Sequence, residues 1–183
     1  MTAPVNSLIV MLAWALGATM SLQADGAKPT EYQVKAAYLA NFGKFVEWPA
    51  RAAGPDNHTF HICVLGQDPF GPALDEAFAG ETIDRAPLAT KRITKVQESG
   101  NCRVLFISSS EDAQLKTILE TLDKESILTV SDLPQFVKRG GMIQFVLDGN
   151  RVRFEVNLVA TQHAGLILSS ELLKLAIAVR RTP

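Results

Sequence analysis

Residues Val152 to Ala176 read VRFEVNLVATQHAGLILSSELLKLA, and the rest of the chain takes its meaning from this stretch. In Val152-Arg153-Phe154-Glu155-Val156 apolar residues alternate strictly with charged ones, the period of a strand with one face buried and one wet. The period then changes. Asn157 is a good N-cap, because its side-chain oxygen can accept from N–H groups that a first helical turn leaves unpaired. This predicts a short helix from Leu158 to Ala164, with Gly165 at the left-handed C′ position and Leu166 placed for the apolar contact that accompanies such an end. Ser169 is read as the cap of a second helix carrying an apolar stripe of Leu172, Leu175, Ala176 and Val179.

Upstream, Asp148-Gly149-Asn150 reads as a hairpin turn joining this strand to another at Met142–Leu147. Earlier strands are expected at Phe60–Leu65, Leu88–Ile93, Val104–Ile107 and Ile127–Val130, most of them apolar on both faces as in a sheet covered on both sides. Helices are expected between them. Thr30 with Gln33 forms a capping box for a helix whose stripe is Val34, Tyr38, Phe42 and Phe45, widened by Leu39 and Val46 and ended by Trp48-Pro49. Others follow at Pro72–Ala79, after Ser108-Ser109-Ser110 with Leu115, Ile118, Leu119 and Leu122 inward, and at Leu133–Lys138 before Gly140-Gly141. The alternation predicts an α/β fold, a three-layer sandwich with a mostly parallel sheet and an antiparallel edge hairpin, in a single domain.

The 183 residues are 47% hydrophobic, enough for one sizeable core, and a formal net charge of -1 gives no footing for a nucleic-acid partner held through phosphates. Leu8 to Ala18, LIVMLAWALGA, is an apolar run of secretory h-region length. Residues 1–24 are therefore read as a signal peptide and 25–183 as the α/β domain. The run carries no Lys or Arg before it, so an uncleaved anchor is the alternative. Cys63 and Cys102 both follow it, and an even cysteine count in an exported chain favours a disulfide over two buried thiols.

Catalytic and cofactor signatures do not appear. There is no G-x-S-x-G elbow, no G-x-x-x-x-G-K-[ST] and no G-x-G-x-x-G, and His58, His61 and His163 are scattered without zinc-ligand spacing. The expectation is a protein that is not an enzyme, with no cofactor and no metal. Two surfaces remain. The loop Gly66–Gly71 lies beyond the carboxyl end of a strand, where open α/β sheets bind ligands. Arg151, Arg153 and Glu155 form the charged outer face of the last strand, a candidate partner surface if that strand is a sheet edge.

Six segments in order complete the reading: VKAAYLANFGKFVEWP (Val34–Pro49), ICVLGQDPFG (Ile62–Gly71), CRVLFIS (Cys102–Ser108), LTVSD (Leu128–Asp132), GGMIQFV (Gly140–Val146) and FEVNLVATQHAGLILSSELLKLA (Phe154–Ala176). Together they resemble the YfiR family of exported bacterial proteins. The resemblance implies a periplasmic repressor that acts on the periplasmic sensory domain of an inner-membrane diguanylate cyclase, lowering cyclic di-GMP and biofilm formation. It also implies a homodimer and a disulfide at Cys63 and Cys102 that supports the fold and ties it to envelope redox state. The alternative is a periplasmic small-ligand-binding module serving another envelope sensor.

Overall fold

The computed structural model describes residues 28–49 and 58–182. The expected signal peptide, residues 1–24, and most of the expected loop after Trp48-Pro49 lie outside them. The described residues form ten strands, β1 to β10 in chain order, and five α-helices, α1 to α5, with short 3-10 helices at Gly43–Phe45, Val96–Asn101 and Ser109–Gln114. The main sheet has the order β10-β8-β7-β6-β5-β2-β4-β3. Its centre is parallel: β2 (Phe60–Leu65) lies between β4 (Ala86–Ile93) and β5 (Cys102–Ile107), and β6 (Leu128–Ser131) and β7 (Ile143–Asp148) follow. β8 (Arg151–Asn157) is antiparallel to β7 through the expected hairpin, whose Gly149 and Asn150 both have positive φ, 49° and 62°.

Alternation along the strands makes the three layers. Ile62, Val64, Val104, Phe106, Val130 and Phe154 join the core beneath α1 (Glu31–Phe42) and α2 (Pro72–Phe78). Cys63, Leu65, Leu105 and Ile107 join a second core with Leu115 and Ile118 of α3 (Leu115–Thr121). The three-layer, mostly parallel α/β reading therefore holds.

Several local expectations are corrected. The helix expected at Leu133–Lys138 is a run of turns, because Gln135 takes a φ of 59° and the N–H of Val137 is bound by the Gln144 side chain. Gly141 is needed there, since a Cβ would overlap the Phe136 ring. α4 (Leu158–His163) is capped by Asn157, and its end is the two-bond Schellman arrangement, Leu166 N–H to Thr161 O and Gly165 N–H to Gln162 O. α5 (Ser170–Leu175), capped by Ser169, stops early. Ala178–Arg180 leaves the helical path as β10, which pairs parallel with Glu155–Asn157 and so covers part of what would have been the sheet edge. Leu175 is accordingly exposed rather than part of a stripe. A two-residue β1 (Val46–Glu47) pairs with β9 (Ile167–Leu168), and β3 (Thr82–Ile83) turns back on β4.

Cys63 and Cys102 are joined by a disulfide, Cα–Cα 5.8 Å, across a sequence separation of 39. A β-bulge makes this geometry. His61 pairs with Cys102 but Ile62 pairs with Val104, so Arg103 is the extra residue. Without it Cys102 would share the face of Val104 and Phe106; with it, Cys102 points into the second core, where Cys63 lies. Closing a loop of this length should stabilise the fold by about 4 kcal/mol, chiefly by restricting the unfolded chain. Replacing both cysteines by alanine is expected to lower the unfolding free energy by that amount, read as a lower urea midpoint at unchanged slope, and reductant should then have no further effect; equal midpoints for the variant and the oxidised protein would refute it.

Candidate interaction surfaces

The order of the parallel strands reverses between β2 and β5: α2 returns the chain to β4 over one face, and α3 returns it to β6 over the other. This is the switch point at which open α/β sheets form a crevice. Here the loops that flank the crevice are tied to each other. Gly66, at φ 87°, approaches Ser110 and Glu111 so closely that any Cβ would overlap them. The Gln67 N–H donates to Ser110 Oγ at 3.0 Å, Ser110 Oγ donates to Glu111 Oε1 at 3.0 Å, and the Ser108 N–H donates to Leu65 O at 3.0 Å. Beside them Arg92 holds Asp68 and Asp75, each at 2.8 Å, and its hydrogen bond keeps the Asp75 carboxyl below the usual carboxylate range. The loop Gly66–Gly71 is thus tied to the segment that follows β5.

Arg151, Arg153 and Glu155 do share one face of β8, opposite Val152, Phe154 and Val156, which enter the α1-side core. Across the ladder they face Asp148, Val146 and Gln144. The second core takes no residue from β7, β8 or β10, so this corner of the sheet lies outside it. Arg151 is exposed, Arg153 and Glu155 are half-buried, and the Arg153 Nε has no hydrogen-bond partner. Among the described residues no group of three or more His, Cys, Asp or Glu could hold a metal ion. His163 instead meets Asp123 at 2.9 Å.

Two sites escaped the sequence reading. At the amino ends of the strands, Val46, Trp48, Phe60, Ile83, Asp84 and Arg103 help line a cavity of about 540 Å³. Arg103 Nη1 and Trp48 Nε1 are buried there without a hydrogen-bond partner, and burial pushes the Arg103 guanidinium below its ordinary pKa. The unpaired donors depend on where the bulge falls, which no spacing announces. The second site was legible. Lys35 shares the i, i+4, i+7 stripe of Leu39 and Phe42 and is only 3% exposed. Its ammonium is held by Asp132 at 2.6 Å and Glu31 at 2.5 Å, over the Tyr32 ring at 4.4 Å, while the Tyr32 hydroxyl donates to Asp132 at 3.0 Å. This cluster ties the start of α1 to the carboxyl end of β6.

Comparison with known protein families matches residues 32–177 to the one described as DUF4154, YfiR/HmsC-like. The chain belongs to the YfiR/HmsC-like family. The family is regulatory and non-catalytic, its members are periplasmic, and it is linked to the periplasmic domains of membrane diguanylate cyclases. The matched residues begin within α1 and end just before β10, so the family covers nearly all of the fold. Among solved structures, a conserved domain protein from Vibrio cholerae O1 biovar El Tor is similar at a TM-score of 0.54 and 9% identity, over 82% of this chain and 60% of that one. The ABC domain from Streptococcus pneumoniae in complex with L-Trp is similar at a TM-score of 0.52 and 12% identity, over 79% and 61%. At these identities the likeness is one of fold, and the chain spans about three-fifths of each of these relatives. Among the described residues no helix is long and apolar enough to cross a membrane.

The Tyr32 phenol gives a pH test of the cluster on α1. Burial first, and then the Asp132 charge and hydrogen bond, push its pKa up to about 12. The folded state thus holds this proton more tightly than the unfolded chain, so the contribution is complete below the ordinary value of about 10 and is lost as pH rises through the folded value. An absorbance titration should show one phenolate forming near 12. Tyr32→Phe should remove that step and flatten the loss of stability over the same range; an unchanged titration would count against the placement.

Proposed function

We propose that this protein is a periplasmic repressor of a membrane-bound diguanylate cyclase, exported by residues 1–24 and acting as a homodimer. The single observation that supports the reading is the family match over residues 32–177. Repression needs no chemistry from the protein, only a surface that binds the cyclase's periplasmic domain better in its inactive than in its active arrangement. The charged row Arg151, Arg153 and Glu155 is the proposed contact, because it combines two cations with a corner of the sheet that the second core does not reach. In the native bacterium, deletion is expected to raise cyclic di-GMP several-fold, and re-expression should restore it. Arg151→Glu with Arg153→Glu, folded by circular dichroism, should restore it poorly, with binding to the cyclase's periplasmic domain weakened at least tenfold, or about 1.4 kcal/mol. Unchanged cyclic di-GMP in the deletion strain would end the repressor reading.

A second reading, a small-ligand module serving another envelope sensor, draws support from the cavity at Arg103. A desolvated guanidinium nitrogen and an indole N–H with no protein partner are costly unless a ligand acceptor meets them, and a small anion supplies one. Arg103→Leu is expected to raise the apo melting temperature while abolishing any shift produced by a panel of small carboxylates and phosphates. If none of the panel shifts the wild-type protein, this reading falls.

A further inference from the structure

β7 outruns its neighbour. Only Val130↔Ile143 and Ser131↔Gln144 pair it with β6, whereas its pairing with β8 continues to Asp148↔Arg151. β6 stops because the Ser131 hydroxyl donates to Ile107 O at 2.7 Å and accepts from the Leu133 N–H at 3.1 Å, turning the chain out, after which Asp132 is drawn to Lys35. The flank of β7 beyond Gln144 is left without a strand. A two-residue hairpin turn makes Asp148↔Arg151 a hydrogen-bonded pair, so alternation turns the main-chain N–H and C=O of Leu147 away from β8 and into that gap.

The gap is roomy. A cavity of about 340 Å³ is lined by Gln144 and Val146 from one face of β7 and by Phe145 and Leu147 from the other, so it lies in the plane of the sheet. A second cavity of about 510 Å³ adjoins it, and Glu31 and Leu147 line both. Leu147 is 60% exposed between them. An apolar side chain beside open main-chain groups is an aggregation liability unless something pairs there. Charge is also divided along the groove. The first cavity holds the Glu31 and Asp132 carboxylates against the single Lys35, and the second holds Lys28 and Arg151 against Glu31.

We propose that this groove takes an extended segment of the protein's regulatory partner as an added β-strand on Leu147, continuing the line of β6. The segment carries an apolar residue over Leu147 and Val152, a basic residue toward Glu31 and Asp132, and an acidic residue toward Lys28 and Arg151. Main-chain pairing supplies affinity and the alternate side chains supply selectivity. The proposal rests on the reading of an interaction protein but not on the partner being a cyclase.

A displayed library of random short peptides, panned on the purified protein, tests it. The expected winners share the basic–apolar–acidic pattern, and the synthetic winner should slow hydrogen exchange at the Leu147 amide. Leu147→Ala should weaken binding a few-fold, while Leu147→Pro, which removes the free N–H without touching the β8 ladder, should abolish it. Backbone N-methylation of alternate peptide residues should do the same, independently of how the proline variant folds. Arg151→Glu should select against the acidic end by about tenfold. The site is overturned if no peptide is selected, if Pro and N-methyl groups act no more strongly than Ala, or if exchange slows elsewhere. It is also overturned if the Leu147 amide is already protected in a dimer of this chain, which would make a second copy the occupant. Peptide binding with unchanged cyclic di-GMP in the deletion strain would keep the groove and discard the cyclase; altered cyclic di-GMP with no peptide bound would do the reverse.

Discussion

One extra residue in a central strand sets much of this architecture. Because Arg103 is inserted opposite the step from His61 to Ile62, Cys102 faces the same core as Cys63, and the disulfide can close inside the sheet rather than across its edge. The same insertion leaves a guanidinium with a buried, unpaired nitrogen at the wall of a cavity of about 540 Å³. A bulge in a parallel pair is uncommon, and here one distortion fixes the covalent tie and leaves a buried polar group unpaired beside a hollow. The tie limits the unfolded chain, while the hollow retains a local cost in the folded one.

At the usual ligand position of the fold, loop residues are tied to one another. Gly66 brings the main chain against Ser110 and Glu111, and the hydrogen bonds among Gln67, Ser110 and Glu111 join the loops that follow β2 and β5. The strand loops that serve catalysis in related architectures are here spent on joining β2 to β5. Open polar groups therefore lie at the periphery, at the Arg103 cavity, along the charged row of β8 and at the uncovered flank of β7. That distribution suits a fold used for contact.

Much of this was legible in the sequence, and the failures have definite causes. The alternation in Val152–Val156, the caps Thr30, Asn157 and Ser169, and the glycine at 165 are local signals, and each stands where its chemistry requires. The run Leu133–Lys138 has helical composition, but Gln144 from β7 captures the Val137 N–H and Asn157 donates to the Val137 carbonyl, so tertiary contacts hold it as turns. Val179 sits at helical spacing from Leu172 and Leu175, yet Ala178–Arg180 finds the open edge of β8 and becomes a strand. Propensity gives way wherever a partner elsewhere in the chain offers hydrogen bonds. Lys35 is the opposite case, since its helical stripe marked it as buried and only the habit of placing lysine outside concealed it.

The two exposed strand flanks differ in a way that bears on selectivity. β10 contributes three residues at the outer border, two of which, Val179 and Arg180, are half-buried. The free flank of β7 is instead a notch inside the sheet. β6 and the turn after Asp132 bound it at one end, the hairpin at Gly149 and Asn150 at the other, and the first turn of α1 stands over it. A border edge can add strands without limit, whereas a notch admits a segment only a few residues long, with side chains that match the two cavities. An open ladder confined in this way can recruit a specific partner without inviting runaway pairing, which is what a regulator in a crowded compartment requires.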